Sequence, residues 1–436
     1  MKLLLVQPSQ LIEGGKVFKA KKLMFPRLSL PVLASLTPPD FEVKIIDDHF
    51  EPVSFEEPAD LVGISYMTPQ APRAYQIADE FRKRGKKVVM GGIHASALPE
   101  EALEHSDAVV VGEAEEIWPR VLEHFNEGKM KGIYRSPQFP MLKGLPRPRY
   151  DLLNRKRYRL LKINFPIQAG RGCPFHCEFC SVTRFFGGQF RFRPVEEVVE
   201  EIRRGGLKKI FFIDDNIIGH SEYARNLFLA LIPLKLRWVG QASLNLARDT
   251  ELLRLAKESG CAVLFIGIES LSGESLKEIG KSFFKAEEIR SSLQKMQSHG
   301  IAVRASIVFG FDHDDRGVFS RTVNFLVENK IAYADFFILT PLPGTPFRER
   351  LERENRILSN NWSDYDSLRT VFRPKQMTPE ELNQGLWQTY QSFYSLKNIV
   401  RRIMVSRGGP RIWRRLYSNL YYRSLVIQKK HPIYGG

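Results

Sequence analysis

The chain has 436 residues, 43% of them apolar and 26% charged, an ordinary composition for a globular protein with room for two or three cores. No stretch approaches eighteen uncharged apolar residues, so the sequence offers no transmembrane helix. The net charge of +16 is uneven: Lys397 to Gly436 holds ten Lys or Arg and no Asp or Glu, which leaves a mildly basic body and a strongly basic tail.

The opening MKLLLVQPSQ is too short in apolar residues for a signal peptide and lacks a small-residue cleavage site. It reads as a first strand, and a cytoplasmic protein is the expectation. Residues 1–125 then alternate strand and helix signals. LLLVQP, VKIIDD, LVGISYM, KVVMGG and AVVVGE are short apolar runs of the kind that parallel strands make when both faces are buried. Helical periodicity runs from Ala71 to Arg84 and from Leu98 to His105. The fold class expected here is α/β, with a doubly wound, Rossmann-like first domain.

Residues 126–165, rich in Pro, Arg, Lys and Tyr, read as a linker. A second α/β series, 166–350, has strands in FPIQAG, KIFFIDD, RWVGQAS, AVLFIGIE, AVRASIVFG and DFFILTP. Helices at Val195–Arg204, Asp249–Ser259, Ala286–His299 and Val318–Asn329 separate them. Six βα units suit a partial TIM-like barrel with its chemistry at the strand C-termini. Residues 351–436 read as helical, then basic and aromatic.

Three of the four cysteines, Cys173, Cys177 and Cys180, fall within eight residues directly after a predicted strand, spaced Cys-x3-Cys-x2-Cys. A disulfide framework would spread them out. Three thiolates on one tight loop can hold three irons of a cubane and leave a fourth iron open to a chelating ligand. The competing readings are a zinc site completed by His176, adjacent to Cys177, and three unrelated buried thiols. Cys261 sits in an apolar stretch and reads as core.

The motif, with Phe179 before its last cysteine, resembles the radical SAM superfamily. The longer run GRGCPFHCEFCSVTRFFGGQFRFRPVEEVVEEI is similar to its cobalamin-dependent branch, whose members typically join a cobalamin-binding Rossmann domain to a radical SAM barrel. The likeness covers roughly residues 1–350 and implies a [4Fe–4S] cluster, S-adenosylmethionine (SAM) and cobalamin as cofactors. For SAM it implies contacts at successive strand ends: Phe179; Asp214, Asp215 and Asn216; Gln241, Ser243 and Asn245; Glu269; Gly310; and Pro341. For cobalamin it implies Ser65, Thr68, Gly91, Gly92, His94, Gly112 and Glu113. The Asp-x-His-x-x-Gly motif of methionine-synthase-type domains is missing after the first strand, where Gln7-Pro8-Ser9-Gln10-Leu11 stands, so no lower axial ligand is identified. His94 reads better as a hydrogen-bonding turn residue.

The function implied is reductive cleavage of SAM, with C-methylation of an unactivated carbon, of a lipid or isoprenoid among other substrates. Cyclisation, oxidation or carbon–carbon coupling on the same scaffold is the second reading. A non-catalytic iron–sulfur or RNA-binding protein is the third. Radical chemistry at an inert carbon needs no strong protein base, and no catalytic acid or base is nominated. The expected partners are an external electron donor such as flavodoxin or ferredoxin and a small-molecule or lipid substrate. The basic tail, with Trp387, Trp413, Tyr417, Tyr421 and Tyr422, fits a membrane surface or a helical cap on the barrel, and nucleic acid less well.

Overall fold

The computed structural model describes residues 1–21, 23, 26–158, 165–281, 286–403 and 411–430; parts of the expected linker and tail lie outside them. The first domain is a parallel sheet of β1 (Lys2–Gln7), β2 (Glu42–Asp47), β3 (Leu61–Ser65), β4 (Lys87–Gly91), β5 (Ala108–Val111) and β6 (Gly132–Arg135), ordered β2-β1-β3-β4-β5-β6. The order reverses between β1 and β3, which opens a crevice beyond their C-termini. The sheet carries a core on each face, one around Ile64, Phe81 and Met90 and one around Leu5, Val89 and Trp118. That is why its inner strands read as unbroken apolar runs. The boundary at residue 125 needs correction: a helix spans Trp118–Asn126, and β6 belongs to this sheet rather than to a linker.

The second domain has β7 (Phe165–Ile167), β8 (Lys209–Phe212), β9 (Arg237–Ala242), β10 (Cys261–Glu269), β11 (Ala302–Phe309) and β12 (Tyr333–Ile338), all parallel and adjacent in chain order. Helices α1 (Val195–Arg204), α2 (Ser221–Leu231), α3 (Thr250–Glu258), α4 (Ala286–Ser298) and α5 (Val318–Glu328) intervene. In α1 the apolar residues Val195, Val198, Val199 and Ile202 fall on one face. Glu196 and Glu197 in its first turn and Arg203 and Arg204 in its last complement the helix dipole. Trp238 of β9 stacks on Phe228 of α2, so alternate residues of β9, Gln241 among them, point into the barrel.

The tail caps this barrel with α6 (Pro379–Phe393), α7 (Leu396–Ile403) and α8 (Arg411–Ile427). The outer edge of β12, opposite β11, is met by side chains rather than by another strand. The Tyr390 hydroxyl accepts from Phe336 N at 2.8 Å and donates to Phe336 O at 3.1 Å, and Tyr394 does the same at Ala334 at 3.3 and 2.9 Å. Two phenols thus blunt an edge that would otherwise invite another chain. Arg402 of α7 is buried and donates to the carbonyls of Ile331, Ala332 and Phe393 and to Asn419 of α8.

Candidate functional site

The cysteine loop leaves β7 and is pinned where Gly170 and Arg171 pair with Phe192 and Arg191. Gly172 has φ +87°, and a Cβ there would stand 2.0 Å from Gln189 O, so glycine is required. Beneath the loop, Asp214 accepts from the N–H groups of Ala169 and Gly170, and Asp215 accepts from Gly172 N at 3.1 Å. The two acids expected at a bound amino group therefore hold the backbone that carries the cysteines. Burial pushes the Asp214 carboxyl up to about 7.

Cys173, Cys177 and Cys180 lie on one loop, closed by Cys180 N donating to Cys177 O at 3.0 Å. Burial raises all three thiols, Cys180 to about 12, so binding a metal there must release protons. Among the described residues no three His, Cys, Asp or Glu side chains converge on a single ion. A cubane does not ask them to, because each thiolate takes its own iron. The donor set is soft sulfur throughout, and it fits iron–sulfur. Cys261 is buried in the barrel core, apart from this loop.

Around the loop, Asn216 donates toward Cys173 Sγ at 4.0 Å and accepts from Ser243 N at 3.2 Å. Ser243 Oγ and Asn245 Oδ1 are buried without a hydrogen-bond partner, as polar atoms awaiting a ligand would be. Glu269 ends β10 at φ +64°, beside a register shift, and pairs with Lys281 at 2.7 Å. A Cβ on Gly267 would meet the Glu269 carboxylate at 2.3 Å. Lys281 was not expected from the sequence; burial lowers its pKa, but Glu269 and the thiols of Cys177 and Cys173 outweigh that and raise it. Phe179 packs edge-on to Phe311. Pro341 is buried, and its carbonyl faces Arg348. Gly310, at φ +106°, abuts Leu382 and Phe372 of the C-terminal region.

A largely apolar, partly open cavity runs from the β3, β4 and β5 ends of the first sheet to Gln168, Arg171, Phe185 and Phe186 of the second domain. Ser65, Gly91, Gly92, Gly112 and Glu113 line it. A Cβ on Gly92 would stand 2.6 Å from Tyr66 O, so the chain makes a close cradle there. Thr68 and His94 are not among these lining residues: both are buried, they pair at 3.3 Å, and the His94 ring lies against Trp362. No histidine is among the lining residues, in keeping with the missing motif after β1. A wide apolar pocket with a few convergent polar groups suits a macrocyclic cofactor.

Glu113 joins the cavity to the cysteine loop. Its carboxylate takes Arg171 at 2.5 Å and also Arg191, while Arg171 reaches Glu115 at 2.6 Å. Arg171 stands inside the cysteine motif, yet nothing local to it signals this contact between domains.

Residues 167–326 match the Radical SAM superfamily and residues 23–122 the B12 binding domain family. The chain is 32% identical to bacteriochlorophyllide d C-12(1)-methyltransferase of Chlorobaculum tepidum, over 94% of this chain and 91% of that protein. It belongs to the cobalamin-dependent radical SAM methyltransferase family. Its cofactors are accordingly a [4Fe–4S] cluster, SAM and cobalamin. Hopanoid C-2 methylase of Rhodopseudomonas palustris is 26% identical, over 79% of this chain and 68% of that one. The fold matches the radical SAM methyltransferase TsrM of Kitasatospora setae, solved with cobalamin and a [4Fe–4S] cluster, at a TM-score of 0.66 and 16% identity, covering 98% of this chain and 99% of that chain.

Proposed function

We propose that this enzyme transfers a methyl group from SAM, by way of cobalamin, to an unactivated carbon of a bulky, largely apolar small molecule. The observation that carries the reading is the cavity that joins the first sheet's strand ends to the base of the cysteine loop. When bound, the three cofactors supply SAM cleavage, a carbon radical and a methyl donor; the chain supplies holding, spacing and dryness. Cys173, Cys177 and Cys180 hold the cluster, and Asp214 and Asp215 fix their loop. Ser243 and Asn245 offer unpaired oxygens to the polar groups of SAM, with Asn216, Gln241, Glu269, Phe179, Gly310 and Pro341 around them. Ser65, Gly91, Gly92, Gly112 and Glu113 wall the cobalamin side. Apolar walls at Val32, Val110 and Phe186 exclude water from a reactive intermediate.

Relatives named for bacteriochlorophyllide d and for a hopanoid support a large apolar substrate methylated at carbon. The electron comes from an external one-electron donor such as flavodoxin or ferredoxin. The test is anaerobic reconstitution with iron, sulfide and hydroxocobalamin, followed by turnover with methyl-labelled SAM and such a substrate. Formation of both 5′-deoxyadenosine and S-adenosylhomocysteine, with label in the product, supports the reading. 5′-Deoxyadenosine without cobalamin retention or label transfer overturns methylation and leaves SAM cleavage standing.

A further inference from the structure

Helix α8 is apolar on two sides. Its inner side packs on the barrel through Leu425 and Val426, with Asn419 buried against Arg402. On its outer side Trp413, Tyr417, Leu420 and Ile427 are 72%, 74%, 41% and 64% exposed. They fall at i, i+4, i+7 and i+14, a single stripe on a 17-residue helix. Helix α7, packed against α8, exposes Leu396 and Val400 one turn apart, beside the exposed Lys397 and Arg401. The 40 residues from Lys397 on carry ten Lys or Arg and not one acid.

We propose that α7 and α8 form a docking face for an anionic lipid bilayer. The apolar stripe enters the interface, Trp413 and Tyr417 sit at headgroup depth, and the exposed Lys397, Arg401, Lys429 and Lys430 meet lipid phosphates. A second copy of the chain fits poorly, because it would bring two all-basic tails together. RNA would use the aromatic rings and the cations, but Leu396, Val400, Leu420 and Ile427 give it nothing to stack on. The face also lies away from the chemistry. Tyr422 of α8 accepts from Arg304 at 3.0 Å near the start of β11, whereas the cysteine loop follows the end of β7. In a parallel barrel these are opposite ends, so docking leaves the cofactor cleft uncovered.

The test is co-sedimentation of the full chain with phosphatidylcholine vesicles and with vesicles carrying phosphatidylglycerol. Binding is expected only to the anionic vesicles and is weakened by salt. W413S/Y417S/L420S is expected to weaken it by about tenfold or more while leaving the melting temperature unchanged. K397E/R401E on α7 is expected to weaken it independently, which keeps the test open if the triple variant folds poorly. Equal binding to both vesicle types, no binding to either, or variants that bind like wild type would overturn the proposal. So would RNA binding without vesicle binding, or a dimer in solution that the triple variant abolishes.

Discussion

Removing the Glu113–Arg171 contact is expected to uncouple the two domains. Glu113 is 2% exposed at its side chain, Arg171 and Glu115 are 8% exposed, and the pairs close at 2.5 and 2.6 Å. Truncating one member of a buried ion pair costs about 3–5 kcal/mol when it strands a charge. E113A strands none outright: Arg171 keeps Glu115, and Arg191 keeps Pro140 O at 2.9 Å and the Phe139 ring at 4.9 Å. Its cost should fall at or below the low end, about 2–3 kcal/mol. R171A takes from Glu115 its only ion-pair partner among the described residues, and should reach about 3–5 kcal/mol. The assay is urea unfolding of the cluster-free protein under reducing conditions, followed by tryptophan fluorescence. Trp118 reports the first domain and Trp238 the second, so both variants should split one transition into two. The double variant should be less destabilised than the singles summed, by about 1.5 kcal/mol or more. An R171A cost no greater than that of E113A, or additive singles, would refute the charge-stranding argument.

G172A should reduce iron incorporation to near that of a cysteine variant, since it adds about 1–2 kcal/mol of left-handed strain to a collision with Gln189 O; full iron content would contradict the loop geometry. C261A should keep full iron content and lose about 1 kcal/mol of stability, whereas alanine at Cys173, Cys177 or Cys180 should abolish the cluster's visible absorbance. Asp314 gives a pH signature. Burial raises its pKa to about 6, against the hydrogen bonds it accepts from Gly310 N and Phe311 N. The unfolded chain releases this proton near the model-peptide value and the folded chain holds it longer, so stability contributed by Asp314 falls as pH rises from about 4 to 6, by up to about 3 kcal/mol. D314N should reduce the fall of unfolding free energy across that window, to which buried Asp214 also contributes; an unchanged slope would place the titration elsewhere.

The fold was legible where burial imposes a pattern. The four inner strands of the first sheet gave apolar runs because helices cover both faces, and edge strand β2 was read from its apolar letters although only Ile46 is buried. β6 was not, because only Tyr134 of its four residues is buried at the sheet's edge. Helix α2 was not singled out, although the spacing of Tyr223, Leu227, Phe228 and Leu231 was there to find. The cysteine loop was legible because its donors lie close together in sequence. Arg171 was not, because its carboxylate partner lies 58 residues away on another domain. Lys281 followed no motif, and only the turn back to Glu269 gives it a role.

Asp214 and Asp215 illustrate the harder ambiguity. An acid at a strand end can face a ligand or satisfy nearby backbone N–H groups, and the two uses leave the same letters in the sequence. Position within the loop geometry decides between them. Gly172 takes a left-handed turn, which aims its N–H at Asp215, while Asp214 lies fully under the strand that precedes it. The same geometry leaves Ser243 Oγ and Asn245 Oδ1 buried and unpaired one strand away. A buried polar atom without a partner costs about 1–3 kcal/mol in the empty protein. That cost disappears when a polar ligand binds, so it adds to affinity for SAM, whereas a carboxylate already satisfied by backbone has less to offer. Ser243 to alanine should therefore raise the stability of the SAM-free protein while weakening SAM binding, a crossed outcome that a purely structural serine would not give.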